Sequence, residues 1–133
     1  MIVADSSVVI ETLVGSGDPS PWAEEVVVAS PLAAPHLMPV EVANILRRSV
    51  AAGELTSDTA ALAHADLLSM PIELLPYAPC ASRVWELRSN VTSYDAWYIA
   101  LAEILDAPLA TLDERLARSP GPRCEFLLPP PNA

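Results

Sequence analysis

The chain reads as an α/β protein: an αβα sandwich around a short-stranded, mostly parallel sheet, with about five strands and seven helices in one domain over residues 1–133. Three observations predict it. Short continuous apolar runs, of the kind buried on both faces of a parallel sheet, recur along the chain, beginning with Ile2-Val3-Ala4. Stretches of helical period stand between them. Residues 92–115 then pass from an apolar helix straight into a short apolar strand and a new helix start, the alternation that parallel strands require.

Each element has a local reason. After the first strand, Asp5 stands at its carboxyl end, and Ser6 or Ser7 opens a helix to about Leu13 with Val8, Val9 and Leu13 inward. Residues 15–21 form a loop, and Pro21 at a first helical position, followed by Trp22, Glu24 and Glu25, marks a second helix to about Ala29. The run Val26 to Val28 has strand propensity, but its flanks favour helix. Residues 32–35 read as a brief strand, and residues 36–39 turn into a third helix over 40–52, closed by Gly53. Glu41 lies near its amino end, Asn44 one turn on, and Val42, Ile45 and Leu46 on the buried side. Thr56 or Ser57 caps a fourth helix over 58–69, where Ala61, Leu62, Ala65 and Leu68 repeat at helical spacing. The segment 71–76 encloses a strand, residues 79–89 a fifth helix with Val84, Trp85 and Leu87, and the stretch from Thr92 a sixth. A strand over 108–111, a last helix over 113–118 and a strand over 124–128 follow, and the proline-rich tail cannot enter a sheet interior.

Composition narrows the function. Hydrophobic residues make up 52%, enough for a core without disulfides, so Cys80 and Cys124 are read as two buried thiols. No apolar run reaches the roughly 18 residues of a membrane span, and the first residues do not resemble a signal peptide, so the chain is read as cytoplasmic, with no membrane partner. The formal net charge is −10, and all seven basic residues are arginine. That is the wrong sign for holding a phosphate backbone directly. It becomes intelligible if acids gather around divalent cations, since two such ions cancel about four charges and themselves recruit phosphate.

Four acids fall where an element meets the carboxyl edge of the sheet: Asp5, Glu41, Asp95 and Asp113. Taken singly, first-turn acids are explained by the helix dipole, worth about 0.3–1 kcal/mol, and both Thr92-x-x-Asp95 and Thr111-x-x-Glu114 have the form of capping boxes. Asp5, beyond a buried strand, resists that explanation. If the four converge, like charges about 4 Å apart cost roughly 4 kcal/mol per pair at an effective dielectric near 20, so the cluster calls for cations. An all-oxygen donor set selects Mg²⁺ or Mn²⁺ over zinc, and such ions polarise phosphate and activate water. His36 and His64 are not convincing catalysts.

The order apolar strand-Asp5-Ser-Ser, Pro39-Val-Glu41-Val-Ala-Asn44, Ser93-Tyr-Asp95-Ala-Trp-Tyr-Ile-Ala-Leu-Ala-Glu103 and Thr111-Leu-Asp113-Glu-Arg-Leu-Ala resembles a PIN-domain ribonuclease of the VapC toxin type over nearly the whole chain. The resemblance implies a Mg²⁺- or Mn²⁺-dependent endoribonuclease that acts on RNA, pairs with a VapB-type antitoxin and is a homodimer. It makes Asp5 and Asp95 the principal metal ligands, with Glu41 and Asp113 completing the pocket. Ser7 and Thr111 match positions where a hydroxyl orients a ligand or the phosphate, or caps a helix. The antitoxin is expected in an apolar groove between the second and fourth helices. The acidic surface departs from an RNA-binding protein, and only the arginines can supply cationic contacts.

Two other functions compete. An aspartyl-phosphate hydrolase or receiver also places an acid after its first strand, but such sites use a lysine near the phosphate, which this chain lacks, and Ser7 stands where the hydrolases carry a second aspartate. A degenerate nuclease fold kept for partner binding is opposed by the presence of all four acids.

Overall fold

Ile2–Ala4 forms β1, fully buried, with β2 (Leu32–Pro35) paired in parallel on one side and β4 (Leu109–Ala110) on the other. The computed structural model describes residues 1–15 and 19–131. β3 (Ile72–Leu75) lies outside β2 and β5 (Phe126–Leu127) outside β4, giving the all-parallel order β3-β2-β1-β4-β5. The chain therefore builds outward from β1 in one direction, then returns to build in the other. This reversal opens a crevice between the carboxyl ends of β1 and β4, where open α/β sheets take their ligands.

The helices follow the expected order with shifted bounds. α1 (Ser6–Val14) buries Val8 and Val9, and Leu13 packs partly buried against the core. α2 (Pro19–Ala29) begins two residues earlier than Pro21 suggests, because Pro19 also suits a first turn; residues 16–18 of the expected loop lie outside the described residues. The valine run is helical: Val26 is buried, whereas Val28 faces out. α3 (Met38–Ala51) starts before Val40 and buries Met38, Val42 and Leu46; Ile45, expected with them, is only half-buried. Gly53 ends it with φ +77.

α4 (Ser57–Ser69) corrects the sequence reading. Thr56 caps it, its hydroxyl oxygen accepting the Thr59 N–H at 3.1 Å. The buried face, however, is Ala60, Ala63 and Leu67, while Leu62 is 68% and Leu68 71% exposed. The helix is apolar on two sides. Ala60 and Ala63 pack against the molecule with Leu67, where close approach rewards small residues, and Leu62 and Leu68 look outward.

The fifth helix is shorter than expected. A 3₁₀ turn at Ala78–Cys80 leads into α5 (Ala81–Glu86), which buries Val84 and leaves Trp85 outside. α6 (Ser93–Leu105) is the central helix, buried through Ala96 and Tyr98–Ala102, and ends at Asp106 in the left-handed region, φ 50. It packs on β1, β2 and β4. A helix that precedes a parallel strand runs antiparallel to it, so the amino end of α6 stands over the carboxyl edge of the sheet. α7 is one turn, Glu114–Ala117. The turn before β5 docks on the end of α5: a Cβ on Gly121, φ +108, would meet Asn90 Nδ2 at 2.9 Å. Both cysteines are free thiols, Cys80 buried as expected and Cys124 only half-buried. The prolines 129–131 stand outside the sheet, and the last two tail residues lie outside the described ones. Among the described residues, no helix is long and apolar enough to cross a membrane.

Candidate active site

Asp5 is the centre of the carboxyl edge. It occupies the N-cap position of α1, with φ −67 and ψ 152, yet its side chain makes no capping bond. Its carboxylate, 8% exposed, instead receives hydroxyls: Thr111 to Oδ2 at 2.7 Å, Ser7 to Oδ2 at 3.1 Å and Ser6 to Oδ1 at 3.3 Å. A buried carboxylate held by three neutral donors, with no ion-pair partner among the described residues, is left with most of its charge unanswered.

Ser7 and Thr111 do not cap helices. The Ser7 hydroxyl accepts the Leu112 N–H at 3.1 Å, and that of Thr111, fully buried, accepts the Asp113 N–H at 3.1 Å. These two side chains thus tie α1 to the segment after β4. They fix Asp5 and the start of the Asp113 turn as one unit.

The other acids arrive from three directions. Glu41, in the first turn of α3, is half-buried and accepts the Tyr98 phenol at 2.7 Å on Oε1. Asp95, in the first turn of α6, lies at the amino end that Thr92 caps by accepting the Asp95 N–H at 3.2 Å. Asp113 is exposed and caps α7 itself, Oδ1 accepting the N–H groups of Arg115 at 3.0 Å and Leu116 at 3.1 Å. The Thr92 cap therefore forms as read, whereas the Thr111-x-x-Glu114 box does not: Asp113 does its work.

Electrostatics join the four. Burial pushes the Glu41 carboxyl up, the Tyr98 hydrogen bond opposes this, and the charges of Asp5 and Asp95 add to the rise. Burial likewise raises Asp95, with Asp5 and Asp113 contributing and Thr92 opposing. Asp5 therefore acts on both Glu41 and Asp95, and Asp113 on Asp95. The Tyr98 phenol is pushed far up by burial and by Glu41, so it stays a hydrogen-bond donor throughout the ordinary pH range.

The four acids do not collapse onto one point. Among the described residues, no three acids, histidines or cysteines form a cage for a metal ion. Mg²⁺ keeps part of its water and binds through one or two carboxylates together with substrate phosphate. The donor set, all oxygen with buried Asp5 at its centre, fits such an ion. His36 and His64 are both exposed.

Sequence reasoning missed Tyr98. The signal was available, since it sits three residues after Asp95 on the same helix face, but its partner lies 57 residues away on α3. It also left open which arginines face the acids. Arg88 and Arg115 do: both line an open cleft of about 510 Å³ together with Asp95 and Asp113.

A parallel sheet that reverses its build direction beside an acid-bearing central strand, with three further acids at the same edge, defines a PIN-type domain. The PIN domain family model matches residues 2–121, and the chain belongs to that family. Within it, the chain is similar to the VapC ribonucleases: it is 39% identical over 127 residues to ribonuclease VapC1 of Mycobacterium tuberculosis, covering 95% of this chain and 96% of that one. In fold it is similar to FitAcB of Neisseria gonorrhoeae, with a TM-score of 0.71 at 17% identity over 97% and 98% of the two chains. The M. tuberculosis toxin VapC20, described as cleaving the sarcin-ricin loop, gives a TM-score of 0.67 at 16% identity over 87% of this chain and 92% of that one. Ribonucleases of this family depend on divalent metal.

Proposed function

We propose that this chain is a metal-dependent endoribonuclease, the toxin of a type II toxin–antitoxin pair, that hydrolyses RNA phosphodiester bonds. The observation that carries the reading is Asp5: a buried carboxylate at the sheet's reversal point that declines its capping role and faces Glu41 and Asp95. Its similarity to ribonuclease VapC1 over nearly the full chain supports it. Asp5 and Asp95 would hold Mg²⁺ or Mn²⁺, with Glu41 and Asp113 completing the acidic pocket. When bound, the ion supplies charge to the phosphate and lowers the pKa of water. The chain's own part is placement. Ser7 and Thr111 orient Asp5, Tyr98 orients Glu41, and the amino ends of α3 and α6 aim both outer acids at the crevice. We further place the protein in the cytoplasm, as a homodimer, with residues 1–133 forming one nuclease domain and a VapB-type antitoxin as partner.

The test is cleavage of total cellular RNA, with ends mapped after induced expression. Asp5→Asn and Asp95→Asn are each expected to abolish cleavage while the circular dichroism spectrum is retained, and EDTA is expected to stop the wild type. Full activity of both variants, or activity indifferent to EDTA, sinks the mechanism.

A further inference from the structure

Of the seven arginines, Arg83 differs from the two that line the cleft. Arg83 is structural: Nε donates to Glu103 Oε1 at 2.7 Å, Nη1 to Glu86 Oε2 at 3.0 Å and Nη2 to the Gly121 carbonyl at 2.7 Å. Arg88 and Arg115 join no ion pair among the described residues, in a chain of formal charge −10. Both line the cleft that Asp95 and Asp113 line. Two cations thus stand beside two of the acids with no carboxylate paired to either among the described residues. They are available to an anion entering that cleft.

Beside Arg88 stands a large aromatic surface. Trp85 is 66% exposed on the short helix α5, so it adds little to the core. The guanidinium carbon of Arg88 lies 4.6 Å from the indole centroid, and Nη1 donates to the Trp85 carbonyl at 2.7 Å, pinning the two together. Indole and guanidinium both present flat faces, the two surfaces on which unpaired bases stack. A paired base has its faces covered by its neighbours, so such a platform selects single strands.

The geometry points to a base-stacking subsite: Trp85 and Arg88 receive an unpaired base next to the phosphate at the acids, and Arg115 pairs with an adjoining backbone phosphate. This rests on the endoribonuclease reading above. It makes Trp85 a specificity residue for the base beside the cut phosphate.

The test uses the full chain with Asp5→Asn, so that RNA is bound and not cut, and a fluorescein-labelled single-stranded oligoribonucleotide of mixed sequence. A second oligomer of equal length carries abasic residues. Adding Trp85→Ala is expected to weaken binding of the intact oligomer roughly 5- to 150-fold and to leave the abasic one nearly unchanged, with Trp85→Phe restoring most of the loss. Arg115→Ala is expected to flatten the dependence of log affinity on log salt by about 0.7, as the loss of one phosphate contact to a single strand does. Equal affinity of Trp85→Ala and its parent, or equal losses for intact and abasic oligomers, overturns the platform. Where Trp85 is native, the protein with Asp5 restored separates the two readings. If it cuts RNA while Trp85→Ala binds as its parent does, only the platform fails; if it neither binds nor cuts RNA, the nuclease reading falls with it.

Discussion

The Thr111 hydroxyl serves two groups at once, donating to buried Asp5 and accepting the Asp113 N–H. Val has nearly the same shape and cannot do either. Thr111→Val should therefore destabilise the fold by about 1–3 kcal/mol, by leaving buried polar atoms unpaired, and lower cleavage about 10–100-fold, as loss of a ligand-orienting partner does. Thr111→Ser should recover most of both. Urea denaturation and cleavage rates check this, and a Thr111→Val protein of native stability and activity refutes it. Asp95 makes the opposite prediction for stability. Its pKa is raised from 3.8 by burial and by neighbouring acids, so the folded state binds the proton more tightly than the unfolded state. The charged form costs stability above the folded pKa, and the cost vanishes as pH falls through that value to below 3.8. Asp95→Asn should thus melt higher than wild type at pH 7, with the gap closing on acidification; a gap that widens toward acid pH contradicts the assignment. At this scale the sequence was legible where a residue broke a local rule. Asp5 after a buried strand had no capping task, and in the structure its side chain makes no capping bond. Asp113 did have one, as a cap, and performs it, so spacing alone could not assign it further.

α6 shows why elements carry the site. One helix face presents Asp95 in its first turn and Tyr98 three residues later, and Tyr98 reaches Glu41 on α3. Two acids on different helices are thereby referred to one rigid body. Tyr98→Phe keeps the ring and removes this link. Because the hydrogen bond holds the Glu41 pKa down, its loss should raise Glu41 further, shift the acid limb of the pH–rate profile upward and cost about 10-fold in activity. An NMR titration of the Glu41 side chain checks the first part, and an unmoved Glu41 rejects the coupling. The elements themselves were legible from apolar runs and breakers: β1, β2 and β3 fall where they were read. What failed was the facing of α4 and the length of α5. Periodicity reports that a helix has an apolar stripe, and α4 has apolar residues on two sides, so nothing local says which one meets the core. α5 ends early because the chain must turn at residues 87–92 to deliver Thr92 to the sheet edge.

At the scale of the whole molecule, that second apolar side of α4 is available for a partner. The structure adds a small groove of about 140 Å³ running from the start of α3 past Leu68 to β3, lined by Met38, Leu67, Leu68 and Leu74 among others. Beside the expected seat between α2 and α4, the outer face of α4 and the β3 edge are a second surface to test for the antitoxin. The formal charge of −10 favours a partner with basic flanks around an apolar helix, since opposite charge speeds encounter while the buried leucines set affinity. Leu62 and Leu68 are mostly exposed in the free chain, so Leu62→Asp with Leu68→Asp should change folding stability by less than about 0.5 kcal/mol each. The acids lie on other elements, at the sheet's carboxyl edge, and RNA cleavage should persist. Binding of the neighbour-encoded antitoxin, measured by calorimetry, should fall at least about 100-fold, as when charge is forced into a desolvated apolar contact. A double variant that binds the antitoxin as tightly as wild type moves the partner off α4; one that loses binding but keeps cleavage separates the inhibitory surface from the chemical one.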